Sequence, residues 1–272
     1  MIDAHHHLWD PARGDYGWMP EDEPILNRAY APADLADTLA AHGIDRTILV
    51  QAAPSVAETE YLLGLADATP WIAGVVGWVD FGDPAAPHVL ERLSRHPKFR
   101  GVRPMIQDIA DVDWMLRADL APAFEAVMAL DLTFDALGFP RHLDNFHTLL
   151  TRHPIRCVID HCMKPDVASG AIDGWAEGMA RLARDTDARV KLSGLVTEAG
   201  ADWSQADLKP YVDHILEQFG PDRIMWGSDW PVCRLRAEYD VWLHTAEALT
   251  ADLAQAERAA IFGGTAAAFY RV

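Results

Sequence analysis

The chain has 272 residues, half of them hydrophobic, and a formal net charge of −18 at pH 7. That apolar content allows a buried core and excludes an intrinsically disordered chain, while the acidity disfavours nucleic acid and anionic membranes as partners. No apolar run is long enough to span a bilayer. Three cysteines without a CxxC pair are typical of a reducing compartment, so we expect a cytoplasmic protein whose oligomeric state stays open.

Eight short runs of apolar and β-branched residues recur along the chain. Near-continuous apolar runs of this kind are typical of parallel strands that are buried on both faces. The predicted strands cover residues 1–5, 45–51, 71–79, 99–104, 131–137, 155–161, 188–194 and 223–229.

Helical patterns lie between these runs, each with Pro or Gly soon after its last apolar position. Eight strand–helix alternations in about 250 residues match the size of a (β/α)8 barrel. A doubly wound open sheet is the main alternative, but no GxGxxG motif follows the first strand. Because no Pro-, Gly- or Ser-rich linker divides the chain, we expect residues 1–272 to form a single barrel domain, regular or slightly distorted.

The longest irregular segment, residues 9–32, follows the first predicted strand and carries two Trp, two Tyr and four Pro. A loop this long and this aromatic often covers a functional site. Packing on the barrel rim without any role in function would explain the same composition.

Four polar residues fall at the carboxyl ends of predicted strands, the side of this fold that carries the active site. His5 and His7 are separated by one residue, so on an extended strand their side chains point the same way, while His6 points away. His161 ends the sixth predicted strand and Asp229 the eighth. Each alone could be a satisfied core residue, but together their metal-binding and acid–base types favour a reaction centre.

An HxH pair on strand one, a His ending strand six and an Asp ending strand eight resemble the amidohydrolase superfamily. More narrowly, the chain resembles its sugar-lactonase branch, which contains hydrolases of L-fuconolactone, L-rhamnonolactone and a pyrone dicarboxylate lactone. The segments that carry this resemblance are DAHHHLWD, FRGVRP, DHCMKP, KLSG, MWGSDWPV and FGGTAAAFYRV, in order along nearly the whole chain. One departure is Thr265, where the family more often has Asn, and we expect it to cap the terminal helix.

The resemblance implies no metal or one divalent ion. Binuclear sites of the superfamily use a carboxylated Lys on strand four and a further His on strand five. Here those strands offer Arg103 and Asp135, and the arginine stays cationic and cannot bridge two metals. Lactonases of this branch are able to work without metal. Ligands for a single ion, with zinc as the first choice, remain in His5, His7, His161 and Asp229.

The resemblance also implies that the partner is a small sugar lactone, as in L-fucose degradation. Asp229 is expected to take a proton from water, while the histidines polarise the lactone carbonyl. Arg103 is placed to hold the carbonyl oxygen or a ring hydroxyl, with a salt bridge under the rim as an equal alternative. Lys164 could bind a substrate hydroxyl or pair with a carboxylate, and Trp230 could cover a sugar ring.

Two other functions stay open. The same barrel and ligands serve zinc-dependent decarboxylases of aromatic and muconate-type acids, which require a bound metal. A non-catalytic binding barrel would keep the fold without the chemistry, although Asp229 and the barrel-facing histidines are all present. No Gly-x-Ser-x-Gly segment occurs, which disfavours a covalent acyl-enzyme.

Overall fold

A computed structural model describes all 272 residues and contains one sheet of eight parallel strands in sequence order. The strands are β1 (Ile2–His6), β2 (Arg46–Val50), β3 (Ile72–Gly77), β4 (Phe99–Val102), β5 (Thr133–Ala136), β6 (Cys157–Ile159), β7 (Arg189–Leu192) and β8 (Ile224–Trp226). His7 N–H donates to Trp230 O (2.7 Å) and Asp229 N–H to His5 O (2.8 Å), which joins the last segment to the first. The predicted (β/α)8 barrel is confirmed, and a doubly wound open sheet is excluded.

Ten α-helices connect or follow the strands. They are α1 (Pro32–Ala41), α2 (Val56–Ala68), α3 (Ala86–Ser94), α4 (Ala121–Ala129), α5 (Leu143–Arg152), α6 (Asp173–Asp185), α7 (Gln205–Phe219), α8 (Tyr239–Leu249), α9 (Gln255–Ala259) and α10 (Thr265–Tyr270). A π-helical segment, Ala260–Gly264, lies between the last two. None of these helices has both the length and the apolarity that crossing a bilayer requires.

The start of α10 differs from the expectation. The sequence predicts that the side chain of Thr265 caps this helix. Instead, the Thr265 hydroxyl lies 3.4 Å from Pro221 O, and no side chain caps the helix. The reason is that the π-helical segment runs directly into α10, so the chain has no exposed helix start at that point. The prediction of a cap at Thr265 is therefore wrong.

Two hydrophobic cores lie on the two sides of the sheet. The larger one contains 69 buried residues and packs the surrounding helices against the outer face of the barrel. The smaller one lies inside the barrel and includes the last helix, so α10 closes the end opposite the carboxyl ends of the strands. Its members are Ile2, Ala4, Ile48, Val50, Val76, Val158, Met225, Ala266, Phe269 and Tyr270.

Two predicted strands extend further than the observed ones. β6 ends at Ile159 and β8 at Trp226, so His161 and Asp229 lie beyond their strands instead of ending them. The backbone is left-handed at both residues, with φ 52° at His161 and 57° at Asp229. This conformation is costly for residues with a side chain and is concentrated at functional sites. Local turns, and not strand alternation, therefore aim these two side chains.

The long loop at residues 9–32 folds over the rim of the barrel. Trp9 pairs with Tyr30 in an antiparallel bridge, and its Nε1–H donates to Arg28 O at 2.9 Å. Trp18 Nε1–H donates to Ala52 O, just beyond β2, at 2.6 Å. Both tryptophans line the cavity at the rim, so this loop forms part of its wall.

The packing between β4 and β5 generates a stability prediction. A Cβ added at Gly101 would lie 2.5 Å from the backbone oxygen of Thr133, which cannot move without disturbing β5. We expect Gly101→Ala to lower the free energy of unfolding by about 3 kcal/mol or more, measured by urea denaturation. The matched control is Gly64→Ala in α2, where a Cβ meets nothing within 4 Å. This control should raise stability by up to about 1 kcal/mol. Equal effects of the two changes would contradict the prediction.

Candidate active site

A cavity of about 300 Å³ opens at the C-terminal rim of the barrel, where the sequence predicts the reaction centre. Its wall combines aromatic and aliphatic side chains with charged and hydrogen-bonding groups. The lining residues are His7, Trp9, Trp18, Ala52, Arg103, Met105, Gln107, Asp108, Leu137, His161, Lys164, Asp229 and Val232.

β1 brings His7 to the wall of this cavity and places His5 directly behind it, fully buried and outside the lining. His5 lies in the strand and His7 one residue beyond its end, and their Nε2 atoms are 3.1 Å apart. His7 Nδ1 is 2.8 Å from Val50 O, and because a carbonyl only accepts, the His7 proton is on Nδ1 and the Nε2 lone pair faces the cavity. Burial lowers the pKa of both histidines below 6.5. His6 faces away, with Nε2 2.8 Å from Thr47 Oγ1.

His161 enters the cavity from the left-handed turn after β6. Its Nδ1 lies 2.9 Å from Ser193 Oγ, and its ring centroid is 4.5 Å from that of His5. Burial lowers its pKa to about 4, so the ring is neutral at pH 7. Gly194 has φ +68° and packs on this ring so closely that a Cβ there would lie 2.6 Å from His161 Cβ. Both the backbone and the available space therefore require glycine at this position.

Asp229 lies at the centre of the four predicted residues. Its Oδ1 is 3.3 Å from His7 Nε2, 3.8 Å from His5 Nε2 and 3.9 Å from His161 Nε2. Burial alone would raise the pKa of Asp229, but His161, His7 and Lys164 outweigh it and lower the pKa below the usual 3.8. The structure thus brings an ionised carboxylate and three neutral imidazoles into one cluster.

The same atoms fit a single divalent ion. The ligand atoms of His5, His161 and Asp229 all lie within 4.8 Å of one another. His7 Nε2 and the Asp229 oxygen are both acceptors, so their separation of 3.3 Å calls for a proton or a cation between them. Nitrogen and oxygen ligands at these separations are what zinc binds.

Arg103 is buried beside the cluster, just beyond β4. Its Nη2 donates to both the backbone and side-chain oxygens of Gln51, at 2.9 Å in the second case, and its Nη1 donates to Asp160 Oδ2 at 3.2 Å. Nη1 also lies 3.3 Å from His5 Nε2. The guanidinium therefore combines the two roles that the sequence leaves open, because it pairs with a buried carboxylate and also lines the cavity.

Of the two remaining predicted residues, Lys164 lines the cavity and Trp230 does not. Lys164 Nζ lies 3.9 Å from Glu198 Oε1, which is a loose ion pair. Trp230 is 5% exposed and packs edge to face on Tyr30, with ring centroids 4.9 Å apart, and it faces the depression beside Glu238. The aromatic rings at the cavity belong instead to Trp9 and Trp18.

A charged cluster directly beneath His5 has no counterpart in the sequence predictions. Lys191 on β7 is fully buried, and its Nζ lies 2.6 Å from Asp135 Oδ2, 2.9 Å from Asp160 Oδ1 and 3.0 Å from His5 Nδ1. Burial and repulsion by Asp160 raise the pKa of Asp135. Burial acts the same way on Asp160, but Lys191, His5 and Arg103 outweigh it and hold its pKa well below 3.8. The available signal is a charged residue within an apolar strand run, as in ARVKLSG and CVIDH.

A family model described as amidohydrolase matches residues 2–272. The chain is 44% identical to the L-fucono-1,5-lactonase of Burkholderia ambifaria, in a match that covers 100% of this chain and 95% of the relative. It is 38% identical to the L-fucono-1,5-lactonase of Burkholderia multivorans, over 99% of this chain and 95% of the relative.

A solved structure gives a similar match. A Burkholderia multivorans amidohydrolase with bound zinc superposes with a TM-score of 0.93 and 37% identity, covering 100% of this chain and 99% of the other.

Proposed function

The chain belongs to the amidohydrolase family, and from that membership we propose that it hydrolyses the ester bond of a sugar-acid lactone. The observation that carries the proposed chemistry is the position of Asp229, a buried carboxylate within 3.3 to 3.9 Å of three imidazole nitrogens beside a cavity. L-fucono-1,5-lactone is the first candidate substrate, because two relatives that match nearly the whole chain bear the name of that activity.

Water activation is the role we assign to Asp229. A water in the cavity would donate to Asp229 Oδ1 and lie beside His7, whose Nε2 is 3.3 Å from that oxygen. Asp229 takes one proton as the water oxygen attacks the lactone carbonyl. When the ester bond breaks, the same proton passes from Asp229 to the ring oxygen, which leaves as the hydroxyl of the open-chain acid. The proton that Asp229 takes from water is the one that it gives to the ring oxygen, so the reaction needs no external acid.

Stabilisation of the tetrahedral oxyanion falls to Arg103 and His161. The guanidinium of Arg103 lines the cavity and brings a positive charge to it. The hydroxyl of Ser193 is able to donate to His161 Nδ1 at 2.9 Å, which leaves the His161 proton on Nε2, on the side of Asp229. Donors that are fixed before the reaction, and that face the place where charge develops, supply the largest share of catalysis in acyl transfer.

One divalent ion, with zinc as first choice, is a proposed addition to this site and not a premise of the mechanism. Residues His5, His7, His161 and Asp229 would hold it. A bound ion polarises the carbonyl as a Lewis acid and lowers the pKa of a coordinated water.

The cavity suits a small sugar ring. Its volume of about 300 Å³ is at the lower end of ligand pockets. Trp9 and Trp18 offer ring faces for the C–H groups of a sugar, while Lys164 and Gln107 offer hydrogen bonds to ring hydroxyls. Met105, Leu137 and Val232 supply an apolar wall on which a deoxy carbon of the sugar could pack.

The direct test is turnover on a panel of substrates. We expect hydrolysis of L-fucono-1,5-lactone and of related aldonolactones, followed by acid release in a pH-indicator assay and corrected for spontaneous hydrolysis. Aromatic carboxylic acids should release no carbon dioxide, with or without added zinc. Decarboxylation without lactone hydrolysis would reverse the proposal, and binding of lactones without turnover would favour a non-catalytic barrel.

Asp229 is the proposed general base, and its role can be tested by substitution. Asp229→Asn keeps the shape of the side chain but cannot accept a proton, so kcat should fall by about 10²–10⁴-fold with little change in KM. The matched control is Asp213→Asn, the same chemical change at an exposed position on α7, which should leave kcat unchanged. A variant at position 229 that retains more than about a tenth of the wild-type kcat would assign the base elsewhere.

The third prediction concerns metal content. Protein purified without added metal should contain zero or one equivalent of divalent ion, because the guanidinium of Arg103, just beyond β4, cannot serve as the anionic ligand that bridges a pair of metal ions. Elemental analysis measures this directly. His161→Asn should reduce any zinc content, whereas His244→Asn at the exposed surface of α8 should not. Two equivalents that both disappear in His161→Asn would contradict the single site. Unchanged turnover after chelation would show that a bound ion is incidental.

A further inference from the structure

A column of buried polar side chains runs from the closed end of the barrel to the catalytic cluster. Tyr270 on α10 donates its hydroxyl to Asp135 Oδ2 at 2.7 Å. The same oxygen accepts from Lys191 Nζ at 2.6 Å, and Lys191 Nζ lies 3.0 Å from His5 Nδ1. All four side chains are at most 1% exposed. The last helix is therefore connected to His5 through two intermediate side chains.

Lys191 makes two hydrogen bonds in its buried surroundings. An ammonium group has three N–H donors and no acceptor. Lys191 Nζ bonds Asp135 Oδ2 at 2.6 Å and His5 Nδ1 at 3.0 Å, and Asp160 Oδ1 lies 2.9 Å away as an ion-pair contact without hydrogen-bond geometry. Since Lys191 can only donate, His5 Nδ1 must accept, and the neutral ring then carries its proton on Nε2.

The contact with His7 agrees with that tautomer. His5 Nε2 lies 3.1 Å from His7 Nε2, which has a free lone pair because the His7 proton is committed to Val50 O. The His5 Nε2–H group thus has an acceptor in His7. Arg103 Nη1 competes with this arrangement, because one of its two N–H groups donates to Asp160 Oδ2 at 3.2 Å and the other lies 3.3 Å from His5 Nε2. Lys191 is the closer donor, at 3.0 Å from His5 Nδ1.

We propose that Lys191, held by Asp135 and Tyr270, is a positioning residue that keeps the His5 proton on Nε2. In this state His5 donates toward His7 and Asp229 and offers no lone pair to a cation. Ligation of a metal by His5 Nε2 requires the proton to move to Nδ1, where it displaces the hydrogen bond from Lys191 and finds only Asp160 Oδ1 at 3.5 Å. Lys191 therefore opposes metal binding at His5 and favours the metal-free form of the site.

The consequence for catalysis rests on the proposed lactonase function, but the tautomer and its effect on metal affinity do not. His7 is the acceptor for His5, so its ring is held in a fixed orientation beside Asp229, the proposed base. A merely structural lysine would affect stability without altering the tautomer of His5 or the affinity for zinc.

The first measurement needs no variant at Lys191. Metal-free wild-type protein labelled with ¹⁵N-histidine is examined by NMR, which distinguishes a protonated ring nitrogen from a free one, and His5→Gln identifies the His5 signals by their loss. We expect a free Nδ1 and a protonated Nε2 on His5. A protonated Nδ1 on His5 overturns the proposal.

The second measurement compares a charge-balanced pair of variants. The double variant Lys191→Met, Asp135→Asn removes one positive and one negative charge together, which avoids an unpaired buried carboxylate. The matched control is Lys209→Met, Asp213→Asn, an ion pair of the same types on the surface of α7. Zinc affinity is measured by competition with a chromogenic chelator, and folding is checked by circular dichroism.

We expect the double variant to bind zinc about tenfold to a hundredfold more tightly than wild type, the range for a lost hydrogen bond from a charged donor. Its metal-free kcat on L-fucono-1,5-lactone should fall while KM changes little, and the control should match wild type in both. Unchanged or weaker zinc binding in the folded double variant overturns the proposal. If the double variant does not fold, the NMR measurement of the His5 tautomer in wild-type protein decides whether the proposal stands. A lack of lactone turnover by wild type would overturn the proposed function alone.

Discussion

The arrangement of this barrel depends on a buried balance of charge. Lys191 and Arg103 face Asp135 and Asp160 in the interior, and no group of the four is more than 3% exposed. Removing such charges from water costs several kcal/mol per ion, so the cluster persists only because each donor finds an acceptor. Asp160 contacts both cations, at 2.9 Å from Lys191 and 3.2 Å from Arg103. His5 contacts this layer directly, at 3.0 Å from Lys191 Nζ, so its position depends on the completeness of the layer.

The barrel interior is thus built in three layers with different physics. Apolar side chains, with α10 beneath them, fill the closed end and stabilise it by burial. The ionic layer above them is specified by hydrogen-bond geometry and tolerates little change of shape. The reactive layer at the rim borders the cavity. Tyr270 spans the first two layers, because its ring packs in the apolar core while its hydroxyl bonds Asp135.

The sequence predicted the barrel and the four rim residues because both depend on local patterns. Eight apolar runs mark the strands, and HxH spacing on a strand places His5 and His7 on one side. Two features could not be predicted in this way. The ion pairs of Lys191 with Asp135 and Asp160 form only when the barrel brings β5, β6 and β7 side by side. Such pairing is a tertiary property that local sequence patterns do not show. Trp230 was assigned to the cavity from its proximity to Asp229 in sequence, but its ring packs on Tyr30.

The placement of His161 and Asp229 shows why strand periodicity is insufficient at a functional site. A side chain at the end of a strand would keep the direction that alternation gives it. Here four consecutive residues from His161 to Lys164 have left-handed backbones, with φ between 48° and 60°, and Asp229 has one of its own. Such conformations persist only where surrounding contacts overdetermine them. Those contacts are visible: His161 is confined by Gly194 and Ser193, and the Asp229 N–H is bonded to His5 O. The backbone strain is therefore coupled to the same residues that cluster around Asp229 at the rim.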